Sequence, residues 1–412
     1  MKLLGPIPAG YDARDGVLAI DGHPVTELVA RAGGTPLFVY SRRMIAERMQ
    51  TLRAAIPERI SIHYAMKANP FPPLLEVMAE LVDGFDVASA GEMAMAFRAG
   101  VSPQQISFAG PGKRDGELLA AIHQGVTLNL ESEGEAERAL AIAKREGLTP
   151  RLAIRVNPDF DLKGSGMKMG GGAKPFGVDA ERVPELARRI VAEGAEWRGL
   201  HIFAGSQALD AEAIAETQAE TLALAARLAG AISARTGQGM PQVNLGGGFG
   251  IPYFAGDEPV DVALIGRRLA ERLAALPPAL TDTRFCVELG RYLVGEAGIY
   301  LASIVDRKVS HGEVFLVTDG GMHHQLAASG NFGMVVRRNY PAAVATRFGA
   351  PVEEEATVTG CLCTPLDRLI DKGGLPRAEV GDIVALFCAG AYGASASPAA
   401  FLGHPPAHEL LV

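Results

Sequence analysis

RGLHIFAG (198–205), DAEAIAETQAETLALAARLAGAI (210–232) and QVNLGGG (242–248) follow one another in the chain, and their reading decides the fold. An apolar run closing on glycine, a long Ala-, Leu- and Glu-rich segment of helical period and a second apolar run make a β–α–β unit. The alternation extends both ways. Upstream lie SIHYAMKA (61–68), GFDVAS (84–89), QISFAG (105–110), TLNLES (127–132) and RLAIRVNP (151–158), and downstream lies RFCVELGR (284–291). Helix-like stretches such as FPPLLEVMAELV (71–82) and EMAMAFRAG (92–100) separate them. Eight such runs predict a parallel β/α architecture, and their number favours a closed (β/α)8 TIM barrel over an open doubly wound sheet.

After about residue 290 the texture changes. AGIYLASIVDRKVS (297–310), EVFLVTDGG (313–321), EATVTGCLC (355–363) and DIVALFCAG (382–390) read as strands without long intervening helices. They predict a mostly β C-terminal domain, which the hairpin-like GVLAIDGHPV (16–25) joins. The predicted organisation is an N-terminal segment over 1–35 that joins the β domain, a barrel over 36–288 and a β domain over 289–412.

The net charge of −8 argues against nucleic acid or an anionic membrane as partner. No signal-peptide pattern and no bilayer-length apolar run is legible, so the cytoplasm is the expected compartment. Four cysteines with one Cys-x-Cys pair match neither a structural zinc pattern nor a disulfide framework. His323 and His324 are adjacent, and adjacent residues of a strand face opposite sides, so no metal is expected there.

Residues that can carry chemistry collect at the predicted strand ends, where barrels place their sites. These are Lys67, Asp86, Ser89, His201, Gly205, Ser206, Gly246, Gly247, Gly248, Glu288, Gly290 and Arg291. A lysine in an apolar strand would be desolvated and nucleophilic, as a Schiff-base lysine must be, although a strand-end lysine can also simply reach solvent. The glycine triplet can admit a phosphate to backbone amides or form a tight turn; it lacks the dinucleotide pattern. Glu288 suits pairing with a protonated pyridine nitrogen, or an ion pair with Arg291. Arg291 and Ser206 can add phosphate contacts, and a surface ion pair is the simpler reading of Arg291. His201 is either a proton-transfer or stacking group or a satisfied structural histidine. Cys363 can serve as an acid near a carbanion, or be an inert core thiol. The loop DLKGSGMKMGGGAKPFG (161–177) is long enough to be functional. Its Lys163, Lys168 and Lys174 could receive an acidic carrier protein, although a flexible lid is the simpler reading.

Taken in order, HYAMKANP (63–70), FDVASAGE (85–92), HIFAGSQ (201–207), NLGGGFGIPY (244–253), ELGRYLVGEAG (288–298), GCLCTPLD (360–367) and the C-terminal GAYGASASPAAFLGHPPAHELLV (390–412) resemble the fold-type III, alanine-racemase-like decarboxylases that use pyridoxal 5′-phosphate (PLP). That family includes the diaminopimelate and ornithine decarboxylases. GPIPAG (5–10), GTPLFVY (34–40), NPDFDLKGSGMKMGGG (157–172) and DGGMHHQLAASGNFG (319–333) look like the branch found with exosortase and exopolysaccharide systems. Decarboxylases acting on a glutamyl group tethered to an acyl-carrier-type protein look like its relatives.

The resemblance implies a role for each matching residue. Lys67 would carry PLP and His201 would stack on its ring. Glu288 would pair with the ring nitrogen. Ser206, Gly246, Gly247, Gly248, Gly290, Arg291 and Tyr392 would bind the phosphate. Asp86 and Glu92 would support the lysine. Cys363 would come from the partner subunit of a homodimer with shared active sites and return a proton to the substrate. Leu289 stands where the family usually has proline. Thr364 stands where diaminopimelate and ornithine decarboxylases carry an acidic residue against the distal ammonium, which argues against a free diamino acid as substrate. Arg337 and Tyr340 fall near the family's substrate-carboxylate residues, one residue out of step. The implied reaction is decarboxylation of an amino acid or a derivative, free or carrier-tethered. The rivals are an amino-acid racemase of the same fold type, a non-catalytic PLP-binding protein and a phosphate-sugar barrel enzyme. Typical racemases of this fold type place arginine where Glu288 stands.

Overall fold

The protein, seen in a computed structural model, is described over residues 1–334 and 336–412, with the Lys168 side chain outside the described set. All eight apolar runs form strands: β1 (Ile60–Ala65), β2 (Gly84–Val87), β3 (Ile106–Phe108), β4 (Thr127–Leu130), β5 (Arg151–Asn157), β6 (Glu196–Ile202), β7 (Gln242–Gly247) and β8 (Arg284–Leu289). They pair in parallel in the order β5-β6-β7-β8-β1-β2-β3-β4, and β4 pairs back onto β5 to close the barrel. Strands buried on both faces read as near-continuous apolar runs, which is why their sequences showed little alternation.

The helices stop and start on local chemistry. Ser89 caps Ala90–Arg98 by accepting from the Glu92 amide at 3.1 Å, and the Glu92 carboxylate accepts from the Ala88 amide at 2.7 Å. The helix read over 210–232 runs Ala211–Thr236; the Asp210 side chain caps its start and left-handed Gly237 ends it.

The barrel belongs to a compact unit made of Met49–Gly250 and Val260–Leu289. The other unit gathers Met1–Arg48, Ile251–Pro259 and Gly290–Val412. Its sheet runs in the order Ala342–Val344, Ile383–Leu386, Gly298–Ser310, Glu313–Thr318, Glu354–Thr359, Arg368–Leu375. Leu37–Tyr40, which the sequence reading put in the barrel segment, pairs antiparallel with Gly298–Leu301 and parallel with His408–Leu411. Leu18, Ile20, Leu37, Val39, Ile299, Leu301 and Phe387 share this unit's core, so the N-terminal hairpin packs with the β strands. Among the described residues no helix is long and apolar enough to cross a membrane.

Candidate active site

At the C-terminal ends of the barrel strands, ionisable groups meet across elements far apart in sequence. His201, at the end of β6, places Nε2 3.1 Å from Glu288 Oε2 on β8. Asn244 of β7 donates to the same oxygen at 3.2 Å, and its Oδ1 accepts from the Gly246 amide at 2.8 Å. Burial alone would raise the Glu288 carboxyl. The pull and hydrogen bond of His201, then the charges of Lys67 and Arg155, instead hold it well below the ordinary carboxylate range. Arg155 is itself buried, donating to Glu131 Oε1 at 2.9 Å.

Asp86 on β2 behaves in the opposite way. Burial and the Glu288 charge raise its carboxyl, against the counter-pull of His63, whose Nδ1 lies 3.7 Å away. For His63, burial lowers the imidazole, but the Asp86 interaction outweighs it and the net shift is upward.

Of the two readings open for Lys67, a desolvated strand lysine or a strand-end lysine reaching solvent, the structure shows the second: β1 ends at Ala65 and Lys67 lies exposed on the 3-10 turn Met66–Ala68, with Nζ 5.9 Å from the centre of the Phe203 ring. What distinguishes it is therefore its company rather than its burial: its charge acts on both Glu288 and Glu92.

The glycine triplet forms an irregularity between β7 and β8, where the register shifts between Asn244 and Gly247. Gly246 has φ +72°, and a side-chain carbon at Gly247 would overlap the Glu288 carbonyl oxygen. The tight-turn reading is thus sufficient for these glycines. Ser206 pairs through its backbone with Met167. That pairing and the bonds from the Met169 and Gly170 amides to Ala204 (both 3.1 Å) tie down the long loop after β5. Lys163 of that loop pairs with Glu216 at 3.1 Å, and the Lys168 side chain lies outside the described residues. A cavity of about 300 Å³ lies nearer the strands' N-terminal ends, lined by residues such as Ser61, Gln105, Thr127, Gln242 and Arg284. In barrels that end carries stability rather than chemistry.

In the second unit Arg291 and three tyrosines come together. Arg291 Nη1 donates to the Tyr253 hydroxyl at 2.9 Å, and its guanidinium lies 4.7 Å from the Tyr392 ring centre. Tyr253 and Tyr340 pack with centroids 4.6 Å apart. Burial pushes the Tyr253 hydroxyl up to about 12. Gly290 precedes the short helix Arg291–Val294. Arg337 stands apart from this group; its Nη2 donates to the Leu366 carbonyl at 3.4 Å.

Cys363 is exposed, unlike the buried Cys286 and Cys388, so it is not an inert core thiol. It lies in a loop stapled by Asp367, which accepts from the Met322 amide (2.6 Å) and the Leu362 amide (2.9 Å). Thr364 Oγ1 accepts from the Leu366 amide at 3.3 Å.

Sequence reasoning missed His63, Arg155, Asn244 and Tyr253. A charged or polar residue inside an apolar strand, as in SIHYAMKA, RLAIRVNP and QVNLGGG, was the available signal for the first three. Tyr253 closed a quoted segment without being singled out.

The donor set suits PLP. Within the barrel unit it offers a lysine amine, a nearly buried carboxylate held anionic, and buried polar atoms without hydrogen-bond partners at His201 Nδ1 and both Asp86 oxygens. Comparisons with known proteins agree. The model of the pyridoxal-dependent decarboxylase pyridoxal-binding domain matches residues 42–295. The L-glutamyl-[BtrI acyl-carrier protein] decarboxylase of Niallia circulans is 36% identical, covering 95% of this chain and 92% of its own. The diaminopimelate decarboxylase of Aquifex aeolicus is 32% identical, covering 100% and 94%. The crystal structure of the M. jannaschii diaminopimelate decarboxylase in complex with L-lysine superposes with a TM-score of 0.87 at 25% identity, covering 100% and 94%. With the family model spanning more than half its length, the chain belongs to the pyridoxal-dependent decarboxylases and is a PLP-dependent carboxy-lyase acting on an amino-acid-like substrate.

Proposed function

We propose that Lys67 carries PLP on its amine, and that the enzyme removes the carboxylate from a glutamyl-type group held on a carrier protein rather than from a free diamino acid. The observation that carries the cofactor reading is Glu288, a nearly buried carboxylate kept anionic by its neighbours. A fixed anion is what a protonated pyridine nitrogen needs, and PLP so held supplies the electron sink for breaking the bond to the carboxylate.

The chain's own groups have separate tasks in this reading. His201 orients Glu288 and flanks the ring, and Asn244 fixes the same carboxylate oxygen. Asp86 and Glu92 hold the lysine side. Ser206, Gly246–Gly248, Gly290, Arg291 and Tyr392 take the phosphate, and Tyr253 orients Arg291. Exposed Cys363 reaches the site of the partner subunit in a homodimer and protonates the substrate carbon left by CO₂. Arg337 and Tyr340 are the weaker substrate-side assignments. Neutral Thr364 offers no anion to a distal ammonium, which disfavours diaminopimelate, lysine and ornithine. The likeness to a decarboxylase named for a carrier-bound glutamyl substrate supports the tethered alternative. The segments at 157–172 and 319–333 favour an exosortase or exopolysaccharide setting.

The test is CO₂ release by the PLP-loaded protein. Turnover of a glutamyl carrier, with silence on free diaminopimelate, lysine, ornithine, arginine and glutamate, is the expected result. Rapid release from diaminopimelate would overturn the tethered reading while leaving Lys67 in place.

A further inference from the structure

His323 and His324 were expected to diverge, as neighbours on a strand do. They lie instead in a turn, with ring centroids 3.7 Å apart. His324 is fully engaged: Nδ1 is 3.0 Å from the Tyr300 hydroxyl and Nε2 is 2.9 Å from the Pro405 carbonyl. His323 is fully buried, and neither of its ring nitrogens has a hydrogen-bond partner. Leaving a buried polar group unsatisfied is costly, so such an imidazole calls for a ligand.

Two further donors converge on it. The His404 ring lies 5.2 Å from that of His323, and Cys361 Sγ is 3.9 Å from both nitrogens of His404. One ligating atom from each of His323, Cys361 and His404 falls within 4.8 Å of the others. We propose that these three residues bind a divalent cation of the zinc class, independently of PLP. Two imidazole nitrogens and a thiolate are borderline-soft donors suited to zinc, and bonds of about 2.0 Å to nitrogen and 2.3 Å to sulfur set the ligand atoms roughly 3.3–3.5 Å apart, so the three donors, now within 4.8 Å of one another, draw in around the ion. Binding releases the Cys361 thiol proton to solvent and leaves a fourth position for water. Cys361 is two residues from Cys363, so the ion pins the loop that carries Cys363.

Sequence spacing hid this site because its ligands come from three separated non-helical, non-strand segments, without any Cys-x-x-Cys pair. The experiment uses the full, PLP-loaded chain, dialysed against a chelator and titrated with Zn²⁺ alone. Bound zinc is measured by elemental analysis, and Co²⁺ replaces it for spectroscopy. The expected result is about one ion per chain, with intense visible cobalt d–d bands of a tetrahedral thiolate site. Cys361→Ala and His404→Ala should each lose the ion, and Cys363→Ala should keep it. A circular-dichroism spectrum and urea midpoint matching the parent's certify the fold of each variant, and either of the first two decides if the other fails to fold. No zinc above the buffer control on the parent chain, or zinc retained by both Cys361→Ala and His404→Ala, overturns the proposal.

Discussion

The barrel's Glu288 is answered by opposite charges, whereas half-buried Arg291 of the β unit is answered by aromatic rings. Glu288 sits among His201, Asn244, Lys67 and Arg155, and its anion is over-compensated. Arg291 has a tyrosine hydroxyl and two ring faces, an unpartnered Nε and, among the described residues, no ion-pair partner. One cluster is built to hold an anion in place; the other is a cation in surplus, suited to receive one. Cation–π contact keeps such an arginine ordered without consuming its charge, which leaves that charge available for the charge-assisted phosphate bonds proposed for it.

The largest effect that can break this contrast is on Lys67. Lys67→Ala should lower CO₂ release by about 10³-fold or more and abolish the absorbance of covalently held PLP. Activity surviving that change would remove the barrel cluster from the chemistry altogether. Next comes Glu288→Gln, which removes the fixed anion but keeps the shape. It should cost roughly 10²–10³-fold in kcat while PLP affinity changes less. Arg291→Met should do the reverse, raising the PLP dissociation constant by about 10–100-fold with kcat at saturating PLP less affected, as read by absorbance titration. If Glu288→Gln instead acted mainly on PLP affinity and Arg291→Met on kcat, the division of labour between the clusters would be wrong.

The two regions also differed in how openly the sequence displayed them. Barrel strands are apolar runs separated by segments of helical period, so β1 to β8 were legible from that alternation of segments. Partnerships were not. Nothing in SIHYAMKA says that His63 faces Asp86, and nothing in QVNLGGG says that Asn244 reaches Glu288, because barrel closure sets those contacts and not chain neighbourhood. Leu37–Tyr40 was misassigned for the same reason: a buried strand of four apolar residues fits a barrel or a β unit equally well, and only its pairing with Gly298–Leu301 decides. In the β unit most candidate residues lie in turns and loops, and Arg291 opens a short helix. There the alternation rule applied to His323 and His324 had no strand to act on.

Within the barrel the subtlest contrast is between its two carboxylates. Glu288 is depressed in the folded state relative to an unfolded value of about 4.3. Its contribution to stability is therefore present above that pH and lost as pH falls toward the folded value. Asp86 is raised above its unfolded value of about 3.9 by burial and by Glu288. Ionising it opposes folding, a cost present near neutrality and relieved as pH falls through the folded and then the unfolded value. In the parent protein these trends run against each other in acid. Asp86→Asn cannot ionise, so it should be as stable as the parent at neutral pH, or more stable by about 1 kcal/mol. It should also lose stability more steeply below about pH 4.3, where only the Glu288 trend remains. Urea midpoints of both proteins between neutral pH and about pH 3 make the measurement. A variant that is weaker at neutral pH and falls in parallel with the parent would mean that His63 holds Asp86 as a stabilising anion, and that the barrel compensates both carboxylates alike.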